Sequence, residues 1–279
     1  MKLALYLVTP CIFLLGVTMV APMFVMVTFS VGERAFDGGY AVALTWHQYA
    51  ALITRLGPIL SSVQLGVICA LLSILFGTPA AYAIYSVGDS NRKILLILII
   101  MLPFFTSFVA RAYAWYFLLG GKGIPSLLLQ FGIGPMRLLN SQFAVLLGVV
   151  YAYLPIAILS IIVAMERIPR SLLEASSDLG RSGVSTFFHI VLPLSMPGVI
   201  SGASLVFIFA AGEYLIPAML GGGRIYFAGN AIADLMLQSR NWPLGSALAI
   251  LLVVIILGAV FGLRWLEHRF TTLNRREGD

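Results

Sequence analysis

The stretch Ser171–Gly198 reads SLLEASSDLGRSGVSTFFHIVLPLSMPG and interrupts a chain that is otherwise strongly apolar. The sequence on both sides of it is built mainly from Leu, Ile, Val, Ala and Phe. The stretch itself carries Glu174, Asp178, Arg181 and His189, together with glycines and two prolines. Its meaning therefore depends on what kind of protein surrounds it.

The composition indicates a membrane protein. The chain has 279 residues, of which 60% are hydrophobic and 10% are charged, and its mean hydropathy is +1.01. A soluble domain has about 25% charged residues, so this chain has too few to cover a surface that faces water. The net charge of +6 fits short basic loops between apolar segments better than a nucleic-acid interface. Cys11 and Cys69 lie in apolar runs and suggest neither a metal site nor a disulfide framework.

The apolar runs predict an all-α membrane protein that forms a single domain over residues 1–279. A helix needs about 20 apolar residues to cross the hydrocarbon, and its backbone must satisfy its own hydrogen bonds there. The first run is longer than the about 7–15 residues of a signal-peptide core, so we interpret it as a retained span. The six predicted transmembrane helices cover residues 5–30, 59–85, 94–119, 142–165, 194–220 and 244–266.

The distribution of Lys and Arg predicts that both termini lie in the cytoplasm, since cytoplasmic loops are enriched in these residues. It also places residues 166–193, between spans four and five, on the cytoplasmic side. With this orientation the inner segments carry Lys2, Arg92, Lys93, Arg167, Arg170, Arg181, Arg264, Arg269, Arg275 and Arg276, and the outer segments carry Arg34, Arg55, Lys122, Arg137, Arg224 and Arg240.

Enzyme motifs are not evident in the sequence. His47, His189 and His268 are scattered, and neither H-E-x-x-H nor G-x-S-x-G occurs. The Gly-Lys pair in residues 120–123 lacks the following Ser or Thr and the upstream glycine of a phosphate loop. We therefore predict a chain that is not an enzyme, holds no metal and does not hydrolyse ATP.

Residues 166–193, which we call the elbow, have the pattern of two short helices joined by a turn. Pro169 suits the first turn of a helix, Gly180 is a stop signal, and Pro193 is expected to end the second helix and begin span five. Isolated helices of about ten residues are marginal in water. They either pack on their own protein or insert into a groove of a soluble partner.

The elbow also carries a spaced motif, in which Glu-Ala-small is followed by three residues, Gly, nine residues and Ile-x-Leu-Pro. This resembles the EAA loop of permease subunits of ABC importers, with Ser176 in place of the second Ala. Residues 102–132, 209–222 and 241–250 resemble permeases for spermidine and putrescine, a group whose relatives also include opine permeases. The motif residues are Glu174, Ala175, Ser176, Gly180, Ile190, Leu192 and Pro193.

The resemblance implies an inner-membrane permease subunit of a bacterial ABC importer with the type I, MetI-like fold. It implies that residues 169–192 dock as a coupling helix on an ATPase. The implied partners are two ATPase subunits that bind ATP and Mg, a second and different permease chain, and a periplasmic or extracellular substrate-binding protein, all at a lipid bilayer and without nucleic acid. The alternative is a self-sufficient secondary transporter or channel, although no inverted repeat is evident.

Candidates for the solute path are polar or aromatic residues within or near the spans. Glu213 lies in an apolar run, where a carboxylate usually faces a cavity or a partner. It either binds a cation together with Tyr214 or forms an ion pair with Arg111 in the third span. Aromatic residues near the outer half contact the solute or form an interface belt, and an acidic residue of the last outer loop contacts solute, binding protein or solvent. These further candidates are Trp115, Tyr151 and Asp234.

Overall fold

The computed structural model describes residues 2–132, 134, 137–223 and 225–276, with side chains for residues 8–132, 134, 137–223 and 225–265. Five basic residues counted above for the orientation, Lys2, Arg224, Arg269, Arg275 and Arg276, lie outside the described side chains. The helices are α1 Lys2–Ser30, α2 His47–Ile53, α3 Gly57–Tyr85, α4 Ser90–Met101, α5 Phe108–Leu119, α6 Ile124–Gln130, α7 Gln142–Met165, α8 Arg170–Asp178, α9 Gly183–Thr186, α10 Leu192–Ala211, α11 Leu215–Leu220, α12 Ala228–Ala233 and α13 Trp242–Arg276. A 3₁₀ turn covers Leu102–Phe105, and π-helical segments cover Phe187–Val191 and Asp234–Gln238.

The described part of the chain confirms an all-α membrane fold. Five of its helices are long and apolar enough to cross a membrane, and a sixth span is obtained if one bent helix pair is counted as a single crossing. The contacts divide the chain into two compact units, one formed by residues 1–60 and 227–255 and the other by residues 61–226 and 256–279. The single domain predicted over residues 1–279 stays a prediction.

The third predicted span, 94–119, is corrected to two helices. Ser90–Phe105 and Phe108–Gln130 meet at an angle of 88°. Pro103 supplies no backbone donor to the helix, and Thr106 is extended, with φ −79° and ψ 157°. The Ser107 hydroxyl then accepts a hydrogen bond from the Ala110 N–H at 3.4 Å, which caps the start of α5.

The fifth predicted span, 194–220, is also corrected. One continuous helix runs from Gly183 to Ala211, and α11 follows separately. Pro193 was expected to end the second elbow helix, but it lies inside this continuous helix. The Leu192 N–H reaches back to the Phe187 carbonyl, which widens the preceding turn into a π-helix. A proline ring collides with the carbonyl four residues before it in a regular α-helix, and the wider turn accommodates it.

Two glycines allow α7 and α10 to approach each other closely. A Cβ at Gly202 would lie 3.2 Å from the Cα and the carbonyl oxygen of Ala157, and one at Gly198 would lie 2.8 Å from the Ser160 carbonyl oxygen. Small residues four apart bring helix backbones together in membranes, where lipid supplies no hydrophobic force between helices. The backbones of this helix pair are therefore in close contact within the unit that also carries the elbow.

In the other unit, the loop after α1 packs on the start of α13. The Phe29 ring stacks on Tyr40 at 4.5 Å and on Trp242 at 5.8 Å between ring centroids. The Arg34 guanidinium donates to the Ser239 carbonyl at 2.8 Å. Before α13, the chain forms α12, and the π-helical segment Asp234–Gln238 continues it.

Candidate coupling elbow and solute path

The first helix of the elbow, α8, ends at a glycine with a left-handed backbone. Gly180 has φ +73°. Its N–H donates to the Ser177 carbonyl at 2.9 Å, and the Arg181 N–H donates to the Ser176 carbonyl at 3.1 Å. These two bonds form a Schellman motif, which satisfies carbonyls at the helix end. A Cβ at position 180 would meet no atom of the described residues within 4 Å, so the backbone conformation, and not crowding among these residues, favours glycine here.

A buried hydrogen bond joins the two elbow helices. The hydroxyls of Ser176 and Thr186 lie 2.8 Å apart, and both residues are buried. Ser182 accepts a hydrogen bond from the Ser185 N–H at 3.3 Å, which caps the start of α9. Ser176, which departs from the motif, therefore joins the two helices of the elbow through a hydrogen bond.

The elbow is attached to the end of α3 by two tyrosines. The Tyr82 hydroxyl donates to the Gly183 carbonyl and the Tyr85 hydroxyl to the Ile168 carbonyl, each at 3.4 Å. The Tyr82 ring also contacts the Phe187 ring at 4.7 Å between centroids. The start of the elbow and the start of its second helix are therefore both held against α3.

An ion pair joins α4 to the end of α7 at the base of the elbow. It links the Lys93 ammonium to the Glu166 carboxylate. The Lys93 ammonium also lies 5.3 Å from the centroid of the Tyr85 ring. Because Glu166 is about half exposed, solvent weakens the pair, and its main contribution is to position the chain.

The motif residues divide between an inward and an outward group. Ser176 is buried, Ile190 and Leu192 are half-buried, and Glu174, Ala175 and Pro193 are exposed. The turn adds large apolar side chains to the exposed surface: Leu179 is 82% exposed and Val184 is 69% exposed. The inward residues hold the elbow on the protein, while the outward residues leave an apolar surface with a carboxylate free for a partner.

Glu213 occupies the break between α10 and α11. It is 6% exposed. One carboxylate oxygen accepts from the N–H groups of Tyr214, Leu215 and Ile216 at 3.0, 2.8 and 3.3 Å. The other oxygen accepts from the Tyr153 hydroxyl. A carboxylate has about four acceptor positions, so the described chain satisfies the group as the cap of α11.

Arg111 does not pair with Glu213, although both side chains are described and lie within one unit. Its guanidinium carbon lies 5.4 Å from the centroid of Phe108 and 5.9 Å from that of Phe104. Two of its nitrogens, Nε and Nη1, are buried without a hydrogen-bond partner among the residues that the structure describes. The structure therefore corrects the predicted ion pair: the carboxylate caps a helix, and the guanidinium lies on aromatic rings.

The remaining candidates lie in three places. Trp115 and Tyr151 are in edge contact, with ring centroids 5.4 Å apart, and they line one recess together with Arg111. Tyr214 is partly exposed beside Glu213. Asp234 belongs to the other compact unit, where it accepts a hydrogen bond from Gln238 at 2.8 Å. Sequence reasoning missed Tyr153 as the partner of Glu213, because 60 positions separate the two residues and no local pattern joins them.

Comparisons with a protein family and with a known relative both match this chain to permease components of transport systems. The family described as "Binding-protein-dependent transport system inner membrane component" matches residues 4–272. The chain is 37% identical over 227 residues to the spermidine/putrescine transport system permease protein PotB of Haemophilus influenzae, covering 80% of this chain and 79% of that one.

Solved structures with a similar fold are bacterial ABC transporters. A chain of the alginate ABC transporter in complex with a pentasaccharide-bound periplasmic protein matches with a TM-score of 0.76 at 18% identity, covering 97% of this chain and 95% of that one. A chain of the MetNI methionine ABC transporter in an inward-facing conformation matches with a TM-score of 0.59 at 17% identity, covering 81% and 97%. At these identities the likeness concerns the fold, which has the MetI-like arrangement expected from the sequence.

Proposed function

Since the chain belongs to the family of binding-protein-dependent transport system inner membrane components, we propose that it lines half of the pore of an importer for polyamines or similar small organic cations. Membership makes it a multi-pass permease subunit of the bacterial inner membrane, and not an enzyme. The alternative of a self-sufficient transporter or channel is set aside on the same ground. The observation that carries the substrate class is the 37% identity to PotB.

The elbow is the proposed contact with the ATPase. It combines an exposed carboxylate at Glu174 with exposed apolar side chains at Leu179 and Val184. An apolar surface of this kind on a short helix fits the groove of a soluble partner. In the proposed orientation both termini and the elbow lie in the cytoplasm, where ATP is available. The proposed assembly contains two ATPases, which carry ATP and Mg, a second permease chain and an external binding protein.

One continuous helix connects the elbow to the membrane-spanning part of the chain. The helix from Gly183 to Ala211 has 29 residues, so at about 1.5 Å per residue it is roughly 43 Å long. It starts at the elbow turn and ends where Glu213 caps α11. The close contact of α10 with α7 makes these helices move together, as in a rigid-body transition between two states. We propose that ATP-driven motion of the elbow tilts this pair and changes access to the pore.

We propose that this chain contributes aromatic side chains to the solute path. The Glu213 carboxylate is occupied as a helix cap, which leaves Trp115 and Tyr151 as surfaces for cation–π contact with an ammonium group. Arg111 in the same recess repels a cation, so the solute passes this point with little retention. A pathway must bind its solute weakly enough to release it, and selection is assigned to the binding protein.

The proposal is tested by reconstituting the chain with its second permease, ATPase and binding protein in liposomes. We expect uptake of radiolabelled spermidine or putrescine that requires both ATP and binding protein. Uptake by this chain alone would contradict the permease assignment. If calorimetry showed that the binding protein recognises an opine and no polyamine, the substrate class would be wrong while the permease assignment remained intact.

A further inference from the structure

Arg111 carries a positive charge within a membrane-spanning part of the chain. It lies on α5, in the bent helix pair Ser90–Phe105 and Phe108–Gln130. A charged side chain inside a bilayer is costly unless it pairs with another charge or with polar groups. Among the residues that the structure describes, none accepts a hydrogen bond from the buried Nε and Nη1 atoms of Arg111, and none forms an ion pair with its guanidinium. The charge is therefore not balanced by direct contact within the described chain.

Glu213 does not supply this counter-charge by direct contact, although it belongs to the same unit as Arg111. Its carboxylate oxygens accept hydrogen bonds from the start of α11 and from the Tyr153 hydroxyl. The Tyr153 ring stacks on Phe108 with centroids 6.3 Å apart, and the Arg111 guanidinium carbon lies 5.4 Å from the Phe108 centroid. Aromatic rings thus connect the two charged groups. Cation–π contact attracts a guanidinium, but neutral rings do not cancel its charge.

The recess that Arg111 lines has the size of one monatomic ion. Its volume is about 10 Å³, which is roughly the space of one water-sized sphere. Its described lining is apolar and aromatic apart from Arg111 and contains no acidic side chain. The wall between α7 and α11 is closely packed, because a Cβ at Gly148 would lie 2.8 Å from Leu220 and 2.9 Å from Ile216. The recess is therefore too small for a phosphate or for an organic ion.

We propose that this recess binds one halide ion, with chloride as the natural occupant, held by hydrogen bonds from the Arg111 guanidinium. A monatomic anion matches both the volume of the recess and the missing charge. A water molecule matches the volume but leaves the positive charge unbalanced. Removing an anion from water is costly unless an opposite charge and hydrogen bonds compensate, and a guanidinium supplies both. Opposite charges in contact also attract each other more strongly inside a protein than in water.

A bound halide changes how the solute passes Arg111. In the solute path proposed above, the guanidinium repels an organic cation, and an adjacent anion offsets that repulsion. This consequence rests on the proposed function, whereas halide binding itself does not. Uptake by the reconstituted transporter should therefore be faster in chloride than in gluconate, which is too large for the recess. If the halide binds and polyamine uptake does not depend on it, the site stands and the proposed solute path is wrong.

The first test is thermal unfolding of the assembled transporter in sodium chloride or sodium gluconate at equal ionic strength. We expect chloride to raise the melting temperature by roughly 2–4 °C, the shift caused by a ligand at about five times its Kd. Arg111→Gln removes the charge and should abolish the chloride effect, and in gluconate it should unfold no earlier than the wild type. Arg55→Gln, which removes an exposed arginine outside the recess, is the matched control and should keep the full shift.

The second test locates the ion. Crystals of the wild-type transporter in sodium bromide should show one anomalous peak in contact with the Arg111 guanidinium. A water molecule or a carboxylate of the second permease chain at that position would overturn the site. So would a wild-type melting temperature that is equal in both salts, or a loss of stability in Arg111→Gln that is equal in both, because the arginine would then act only through packing. If Arg111→Gln fails to assemble, the bromide position in the wild type decides alone.

Discussion

Replacing Gly180 tests how the elbow turn works. Its φ of +73° lies in the left-handed region, where an L-residue is less stable by roughly 1–2 kcal/mol. Since a Cβ would meet no atom within 4 Å, this conformational term is the expected effect inside the chain. It corresponds to a shift of roughly 5–30-fold towards a frayed turn. We therefore expect coupling to fall in the order Gly, Asn, Ala, Val, because Asn tolerates this backbone region.

The assay is ATPase activity stimulated by the binding protein, together with solute uptake, in the reconstituted complex. Gly180→Val should insert into the membrane at the wild-type level and lose most of the stimulation, while Gly180→Asn retains most of it. Unchanged stimulation in all three variants would refute the role of the turn. If Asn were more harmful than Ala, side-chain volume would be decisive, and the explanation from backbone conformation would fail.

The packing and the hydrogen bonds lead to three further predictions. Glu213→Gln should keep near-normal thermal stability, while Glu213→Ala leaves buried donors without acceptors, at about 1–3 kcal/mol each, and lowers the melting temperature; loss of uptake in a stable Glu213→Gln protein would instead support a solute site. A double-mutant cycle of Ser176→Ala and Thr186→Val should give a coupling energy of about 0.5–1.5 kcal/mol, and additive effects would disprove their mutual support. Gly202→Val should destabilise the protein by about 1–3 kcal/mol through overpacking, whereas Gly16→Val, with nothing within 4 Å, should be neutral; equal effects would argue against close packing of α7 and α10.

The elbow could be predicted from sequence because its signals are local. Gly180 is read as a helix stop from its neighbours, and the structure gives it the left-handed backbone that a stop requires. The spacing of the motif identified the candidate residues for contact with the ATPase. The spacing did not predict which motif residues are exposed to solvent. Ser176 is buried against Thr186, while its neighbour Ala175 is exposed.

The helix boundaries that were wrongly predicted around Pro103 and Pro193 show that the effect of a proline depends on the residues around it. Pro103 and Pro155 both interrupt apolar runs, but α7 continues through Pro155. The helix at Pro103 breaks where Thr106 is extended and Ser107 caps a new start. Pro193 is accommodated in turn by a π-helical segment. Proline alone therefore does not predict a break, and the residues that cap a new helix must be weighed with it.

Glu213 shows a different limit of sequence reasoning. A carboxylate in an apolar run pointed to a binding site or an ion pair, and both hypotheses assumed that the residue lies within a continuous helix. The structure instead ends α10 at Ala211, which exposes the N–H groups of the next helix to the carboxylate. Its second partner, Tyr153, comes from α7. Only the tertiary fold brings these groups together.

The most direct test of the central claim is cross-linking from the exposed tip of the elbow to the ATPase. Leu179→Cys would be made in a Cys11→Ser, Cys69→Ala background, because these are the chain's two cysteines, and treated with a short bis-maleimide in the assembled complex. Val109→Cys, an exposed position on α5, is the control. The account predicts a product with the ATPase from Leu179→Cys and none from Val109→Cys. An assembled, active complex in which Leu179→Cys gives no such product would contradict it.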